Sequence, residues 1–545
     1  MTIRLTLTLS AIALSGTAAL ACTNLIAGKK ATTDGSVMIT YAADSHTLYG
    51  DLSHTPAAVH KPGAMRTVKE WDTGKILGEI PQPAKTYNVV GNMNEYQVAI
   101  GETTWGGREE LMDTTGNSII DYGSLIQIAL ERSKSASEAL DVMTSLVAEY
   151  GYASEGESFT IADKNEVWVM DMIGKGAEKG AVWVAVRIPD DAICAHANEP
   201  RIRQVDLKDK KNVRYAKDMI EFARKRGLYE GKDSDFSFAD VYGFHDNATR
   251  RSCDARAWAY MREYAPEMDK YYSWCSGESD TPMPLYVVPE KKVSLEDMML
   301  SMRSHFEGTP FDMTQDVGAG PYHVPYRWRP MEYEVDGKKY CMERATATQQ
   351  TGWSFVAQCR DWLPDPVGGL FWFGTDDTNT CVYMPLYCCL TEVPLQFTVG
   401  DLYHFDMDSN FWMNNWVANQ AYNRYDQMIP DIRKVQNSLE DKYRSSRASS
   451  DAELAPLAEA GFLGEVTTLA NLQAAAIAKE ATDAYRELAQ FLLVKYIDGN
   501  VKNQNEDGSF KLNPYGLPAS PSQPGYDKKY YETIVKETGD HFLLK

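Results

Sequence analysis

The sequence has no His-Glu-x-x-His run, no phosphate-binding loop ending in Gly-Lys-Ser/Thr and no Gly-x-Ser-x-Gly elbow. Zinc proteolysis, P-loop nucleotide hydrolysis and serine-hydrolase chemistry thereby lose the residue patterns their mechanisms use. Histidine is scarce, with nine residues in 545 and none at metal-ligand spacing, and His196 reads as a packed or solvent-facing side chain. Cysteine is equally sparse and lacks Cys-x-x-Cys spacing, so Cys194, Cys253, Cys275, Cys341, Cys359, Cys381, Cys388 and Cys389 read as buried thiols or a few bridges, with no metal site. Nine is an odd number, which leaves at least one thiol unpaired within a monomer, and Cys22 is the candidate.

Positive charge is in deficit. Lysine and arginine total 55 against 76 aspartates and glutamates, for a net charge of −21. Such a surface repels a nucleic-acid backbone or an anionic membrane, so no nucleic-acid partner is expected. No run of about 18 apolar residues occurs after the first segment, which argues against stable membrane insertion. Hydrophobic residues at 44% and aromatics at 11% are globular composition. The length calls for one large domain with an added region, or for two domains.

The first 21 residues carry Arg4, an apolar run from Leu5 to Leu20, and Ala19-Leu20-Ala21 directly before Cys22. This is the pattern of a secretory signal peptide with a small-x-small cleavage site, and it implies an exported, periplasmic or extracellular protein. After it, short β-rich runs flank Thr33-Asp34-Gly35 and predict an opening hairpin. Two more strands flank Asn94-Glu95, and helical spacing covers 119–133 and 136–150, with Ser135 or Ser137 as a cap. Successive hairpins are predicted about Lys164-Asn165 and Pro189-Asp190-Asp191. Helices are expected near 214–226 and 295–305, strands across 355–395, and helices over 410–493. Strands, a helical layer, then strands again predict an α+β sandwich of antiparallel sheets. The expected divisions are a catalytic domain over 22–400, a helical region over 401–499 packing on it, and a loop-rich tail over 500–545.

Cleavage after Ala21 would give Cys22 a free α-amine beside its thiol, placing a nucleophile and a base on one residue. The amine titrates near 7.7–8.0 and a free thiol near 8.5, so modest shifts populate a thiolate near neutral pH. No metal or organic cofactor is needed for such chemistry.

The run CTNLIAGKKATTDGSVMI followed by Asp44 resembles the opening of the dipeptidase A and secernin family of N-terminal-nucleophile cysteine peptidases, relatives of bile-salt hydrolases and penicillin V acylases. The similarity continues through ESFTIADKNEVWVMDMIG, RIPDDA, HAN, DARAW, HFEGTPFDMT, PYRWRP and FWFGTDD. The resemblance implies a four-layer αββα sandwich and hydrolysis of dipeptides. It implies Cys22 as nucleophile, Asp44 beside its amine, Asn198 as an oxyanion donor and Arg256 as a cation near the thiol. It also places Glu102 and Thr103 at a substrate-binding strand end whose backbone could supply a second oxyanion donor. One position departs: many members have an arginine three residues before the matching aspartate, and this chain has Tyr41. A phenol supplies neither the permanent charge nor the planar donors of a guanidinium, so Arg256 or another cation must compensate, or substrate preference differs. Small peptides are the expected partners, and self-association is left open. Two alternatives stand beside this reading: an acylase for bile-salt or N-acyl amides, and a non-catalytic binding protein lipidated at Cys22.

Overall fold

The computed structural model describes residues 22–544; the leader at 1–21, with its signal and cleavage site, lies outside the described residues. Two antiparallel sheets dominate. The seven-stranded sheet runs in the order Tyr286–Val287, Ile193–His196, Asn24–Ala27, Val37–Asp44, Thr351–Cys359, Gly369–Thr375, Met384–Tyr387. The eight-stranded sheet runs Val213–Tyr215, Glu178–Ile188, Val167–Lys175, Gly156–Ala162, Ala99–Trp105, Met93–Asn94, Val89–Val90, His54–Thr55.

Alternation along the strands explains the layering. Val167 and Val169 join the core between the sheets, while Trp168, Met170 and Met172 face the helices Tyr122–Arg132 and Ala136–Tyr150 in a second core. On the far side, helix Ala255–Tyr264 covers strand Ile193–His196, and helix Leu463–Lys495 lies against Met384–Tyr387. Helix, sheet, sheet, helix is thus the four-layer sandwich expected. The sheets meet closely: His196 Nδ1 and Nε2 each lie 2.7 Å from a threonine hydroxyl of the opposite sheet, Thr103 and Thr160. Gly101 has no room for a side chain, because a Cβ would strike the amide of Asn24.

Several expectations shift. The hairpin predicted about Pro189-Asp190-Asp191 does not form. The turn instead carries the chain from Glu178–Ile188 in one sheet to Ile193–His196 in the other. The run before Asn94 splits into two short strands about Gly91, which adopts a φ of 54°. Residues 213–215 are an edge strand, and the helix begins at Met219. Ser135 caps the second helix, its side chain accepting from the amide of Glu138. All nine cysteines are free. Phe371, Trp372 and Phe373 lie in the buried strand Gly369–Thr375.

Beyond residue 400 the chain forms Asn410–Ala421, Tyr425–Glu459 and Leu463–Lys495. Their buried residues Val417, Tyr443 and Tyr485 join the same core as the seven-stranded sheet. Buried ion pairs reinforce the contact: Arg303 Nη2 lies 2.5 Å from Glu440 Oε1, and Arg360 Nη1 lies 2.6 Å from Asp451 Oδ2. The tail is mostly extended but ends in helix Lys528–Thr538. Among the described residues, no helix is long and apolar enough to cross a membrane.

Candidate active site

Cys22 directly precedes the opening strand. The carbonyl of Thr23 accepts from the amide of Ala42 at 3.0 Å, a register that sets Cys22 beside Ala43 and Asp44. Opposite, strand Ala99–Trp105 has a partner on one side only after residue 99, since Met93–Asn94 pairs with Ala99 alone. The side chains of Cys22 and Tyr41 enter this gap. Cys22 Sγ lies 3.6 Å from Glu102 Oε1 and 3.7 Å from Tyr41 Oη, and it is only 3% exposed. The Tyr41 hydroxyl in turn donates to Glu102 Oε1. Its ring stands edge-on to Trp353, with centroids 5.1 Å apart.

Burial pushes the Cys22 thiol well up, and the carboxyls of Glu102 and Asp44 push the same way. The main-chain amide of Asp44 and the hydroxyl of Tyr41 oppose this by hydrogen bonding to the sulfur. The sulfur is therefore protonated at rest, and attack requires a base to remove its proton.

Asp44 is fully buried. Thr351 Oγ1 donates to its Oδ1 at 2.6 Å, and Arg344 pairs with its Oδ2. Burial raises the Asp44 carboxyl, while Arg344 and Thr351 restrain the rise. Arg344 was not foreseen. It comes from the segment before strand Thr351–Cys359, the neighbour of Val37–Asp44, and it supplies beside Asp44 the guanidinium that position 41 lacks. Its 300-residue separation from Asp44 leaves no spacing signal, and only the strand order could have found it.

Arg256 does not touch the sulfur. Its Nη1 donates to the carbonyl of Cys22 at 2.6 Å and to Thr23 Oγ1 at 2.8 Å, and its Nη2 donates to Asn198 Oδ1 at 2.8 Å. Burial, and then Arg344, lower the Arg256 guanidinium to about 9. These contacts lock the main chain of Cys22 and orient the Asn198 amide, whose Nδ2 donates to the carbonyl of Thr104 at 2.6 Å. Asn198 holds a φ of 58°, a left-handed conformation that asparagine tolerates.

Glu102 and Thr103 divide. The Thr103 hydroxyl is committed to His196, whose ring burial lowers to about 3 and keeps neutral. The Glu102 carbonyl accepts from Asn24 Nδ2 at 2.6 Å, and its side chain faces the sulfur. Beside Glu102 stands Glu157 on the adjacent strand, also unforeseen; burial raises both carboxyls, and Glu102 raises Glu157 further while the hydrogen bond from Glu157 restrains the rise of Glu102. Next to Tyr41 lies a small recess of about 20 Å³, roughly the room of one water, lined by Trp71, Asn92, Tyr122, Ile126 and Trp353.

Residues 21–438 match the family described as Peptidase family C69. The chain belongs to peptidase family C69. The resemblance read from the sequence is thereby borne out, and the protein is a cysteine-type peptidase. This C69 peptidase is 26% identical over 394 residues to a probable dipeptidase of Salmonella dublin, covering 68% of this chain and 81% of the relative. It is 24% identical over 466 residues to a probable dipeptidase of Latilactobacillus sakei, covering 81% and 89%. A dipeptidase of Bifidobacterium longum is 25% identical over 442 residues, covering 73% and 76%. Among solved structures, a penicillin V acylase from Agrobacterium tumefaciens aligns over 67% of this chain and 86% of its own, at 12% identity and a TM-score of 0.29.

Proposed function

We propose that this C69 peptidase is an exported dipeptidase whose mature chain begins at Cys22, with the thiol as nucleophile and the new α-amine as base. The observation that carries this reading is the placement of Cys22. It lies two residues before a buried strand, its carbonyl is clamped by Arg256, and its sulfur lies 3.6 Å from Glu102 Oε1 of the other sheet. The dipeptidase names of the relatives support the substrate class. The family match opens at residue 21, immediately before the nucleophile, in keeping with removal of a leader and export.

The amine takes the thiol proton as the sulfur attacks the scissile carbonyl carbon. It then returns a proton to the leaving nitrogen as the carbon–nitrogen bond breaks. Water, deprotonated by the same amine, attacks the thioester; the carbon–sulfur bond breaks and the thiol is restored. Asn198, its oxygen held by Arg256, presents its amide nitrogen as a neutral donor to the oxyanion. Asp44, balanced by Arg344, holds the neighbourhood of the amine.

The test is Cys22→Ala alongside iodoacetamide labelling of mature wild-type protein. Loss of dipeptide hydrolysis by at least about 1,000-fold in the variant, with labelling and inactivation of the wild type in step, supports the reading. Full activity after stoichiometric alkylation of Cys22 would sink it.

A further inference from the structure

Resting on the dipeptidase reading, we propose that the Glu102 carboxylate, backed by Glu157, receives the α-ammonium of an aminoacyl substrate. The position fits the covalent geometry of such a substrate. Its α-nitrogen lies about 2.5 Å from the scissile carbonyl carbon, which the sulfur approaches to roughly 3–3.5 Å before attack. An oxygen 3.6 Å from that sulfur is within hydrogen-bonding reach of the α-nitrogen.

The pair is also short of donors. Glu102 is 1% exposed and Glu157 is 0% exposed, and the two carboxyls hydrogen-bond to one another, with no other donor to Oε2 of either among the described residues. One shared proton is the least costly resting state of such a pair, as for any two carboxyls that cannot both ionise. An ammonium group brings three donors and a full charge, so it can displace that proton to solvent and satisfy both acids.

The surrounding field has the right sign. Asp72, which accepts from Tyr122 Oη at 3.0 Å, acts on Glu102, and Glu155 acts on Glu157. The other titratable groups facing the pair are Cys22, Tyr41, Tyr122 and Tyr152, none of them a cation. On the opposite side of the sulfur, by contrast, the Asp44 carboxyl is paired with Arg344. An N-acyl substrate would leave Glu102 buried against a neutral group. The site therefore selects free aminoacyl ends. Glu102 touches the substrate; Glu157 is a positioning residue that acts through it.

The experiment uses mature protein with Phe-Ala and its des-amino analogue, in which hydrogen replaces the ammonium. Wild type is expected to prefer Phe-Ala by roughly 100-fold or more in kcat/KM. Glu102→Gln should erase the preference, bringing kcat/KM for Phe-Ala to within about threefold of that for the des-amino substrate. Glu157→Gln should raise KM for Phe-Ala about tenfold at constant kcat and remove the fall of KM with rising pH that proton displacement produces, an effect a merely structural role would not cause. Retained preference in Glu102→Gln overturns the assignment and leaves the dipeptidase reading standing. Equal loss on both substrates also overturns it, because Glu102 would then serve the nucleophile alone. Wild-type protein that cleaves neither substrate overturns the dipeptidase reading and this assignment with it.

Discussion

Two buried acids flank the Cys22 sulfur in opposite circumstances. Asp44 has a guanidinium and a hydroxyl to satisfy it, whereas Glu102 has the hydroxyl of Tyr41 and another carboxyl. Removing Arg344 would leave Asp44 as an uncompensated buried charge. Arg344→Ala should therefore cost about 3–5 kcal/mol of unfolding free energy by denaturant titration. Arg344→Lys should keep most of that stability and still lower kcat, because an ammonium cannot hold Asp44 as a planar donor pair can. Equal stability of wild type and the alanine variant would contradict the pairing.

Two further groups give opposite pH slopes within one core. The His196 ring stays neutral in the fold down to about pH 3, while its unfolded counterpart gains a proton below about 6.5. The stability it contributes is present above 6.5 and lost as pH falls, at a cost of about 2 kcal/mol by pH 5. The Glu102 and Glu157 carboxyls are raised, so the fold retains a proton that the unfolded chain releases above about pH 4.3. Their contribution is present below that pH and disappears as pH rises through the raised value. Stability against pH, compared for wild type, His196→Gln and Glu157→Gln, should show the acid limb flattened by the first substitution and the upper limb by the second. Superimposable curves would refute both assignments.

Among the elements, strand Ala99–Trp105 governs how closely the sheets approach. Gly101 faces Asn24 and Tyr41 without space for a methyl group. Gly101→Ala should push the strands apart, lower kcat/KM by more than tenfold and destabilise the fold by about 1–3 kcal/mol. Wild-type kinetics in this variant would mean the gap is looser than described. Helix Tyr425–Glu459 docks through Glu440, which accepts from Arg303 and from the amide of Tyr383 at 2.9 Å. Glu440→Ala should cost about 3–5 kcal/mol, seen as a lowered melting temperature, because Arg303 would be left buried and unpaired.

What the sequence revealed follows the range of the interactions involved. Cys22 was legible from the cleavage-site pattern directly before it, Asp44 followed from the family resemblance, and alternation identified the central strands. Glu102 was found as a strand end, but its side-chain environment was not, since Glu157 reaches it across a strand register that sequence does not display. Arg344 was missed for the same reason over a longer span. The crossing at Pro189-Asp190-Asp191 was misread because that turn chemistry serves a hairpin and a passage between sheets equally well.

For the whole molecule, the two sheets, their outer helices and the helices after residue 400 share a continuous core, and the site lies where one sheet is left open beside the chain's first described residue. The proposed mechanism connects maturation to catalysis: with Cys22 as nucleophile, the peptide bond before it must be cut for its nitrogen to become a base. The most direct measurement compares dipeptide kcat/KM of protein whose mass places Cys22 first with protein retaining one alanine before it. The account predicts activity in the Cys22-first form and a loss of about 100-fold or more in the extended form. Equal rates in the two would contradict the amine as base and with it the proposed mechanism.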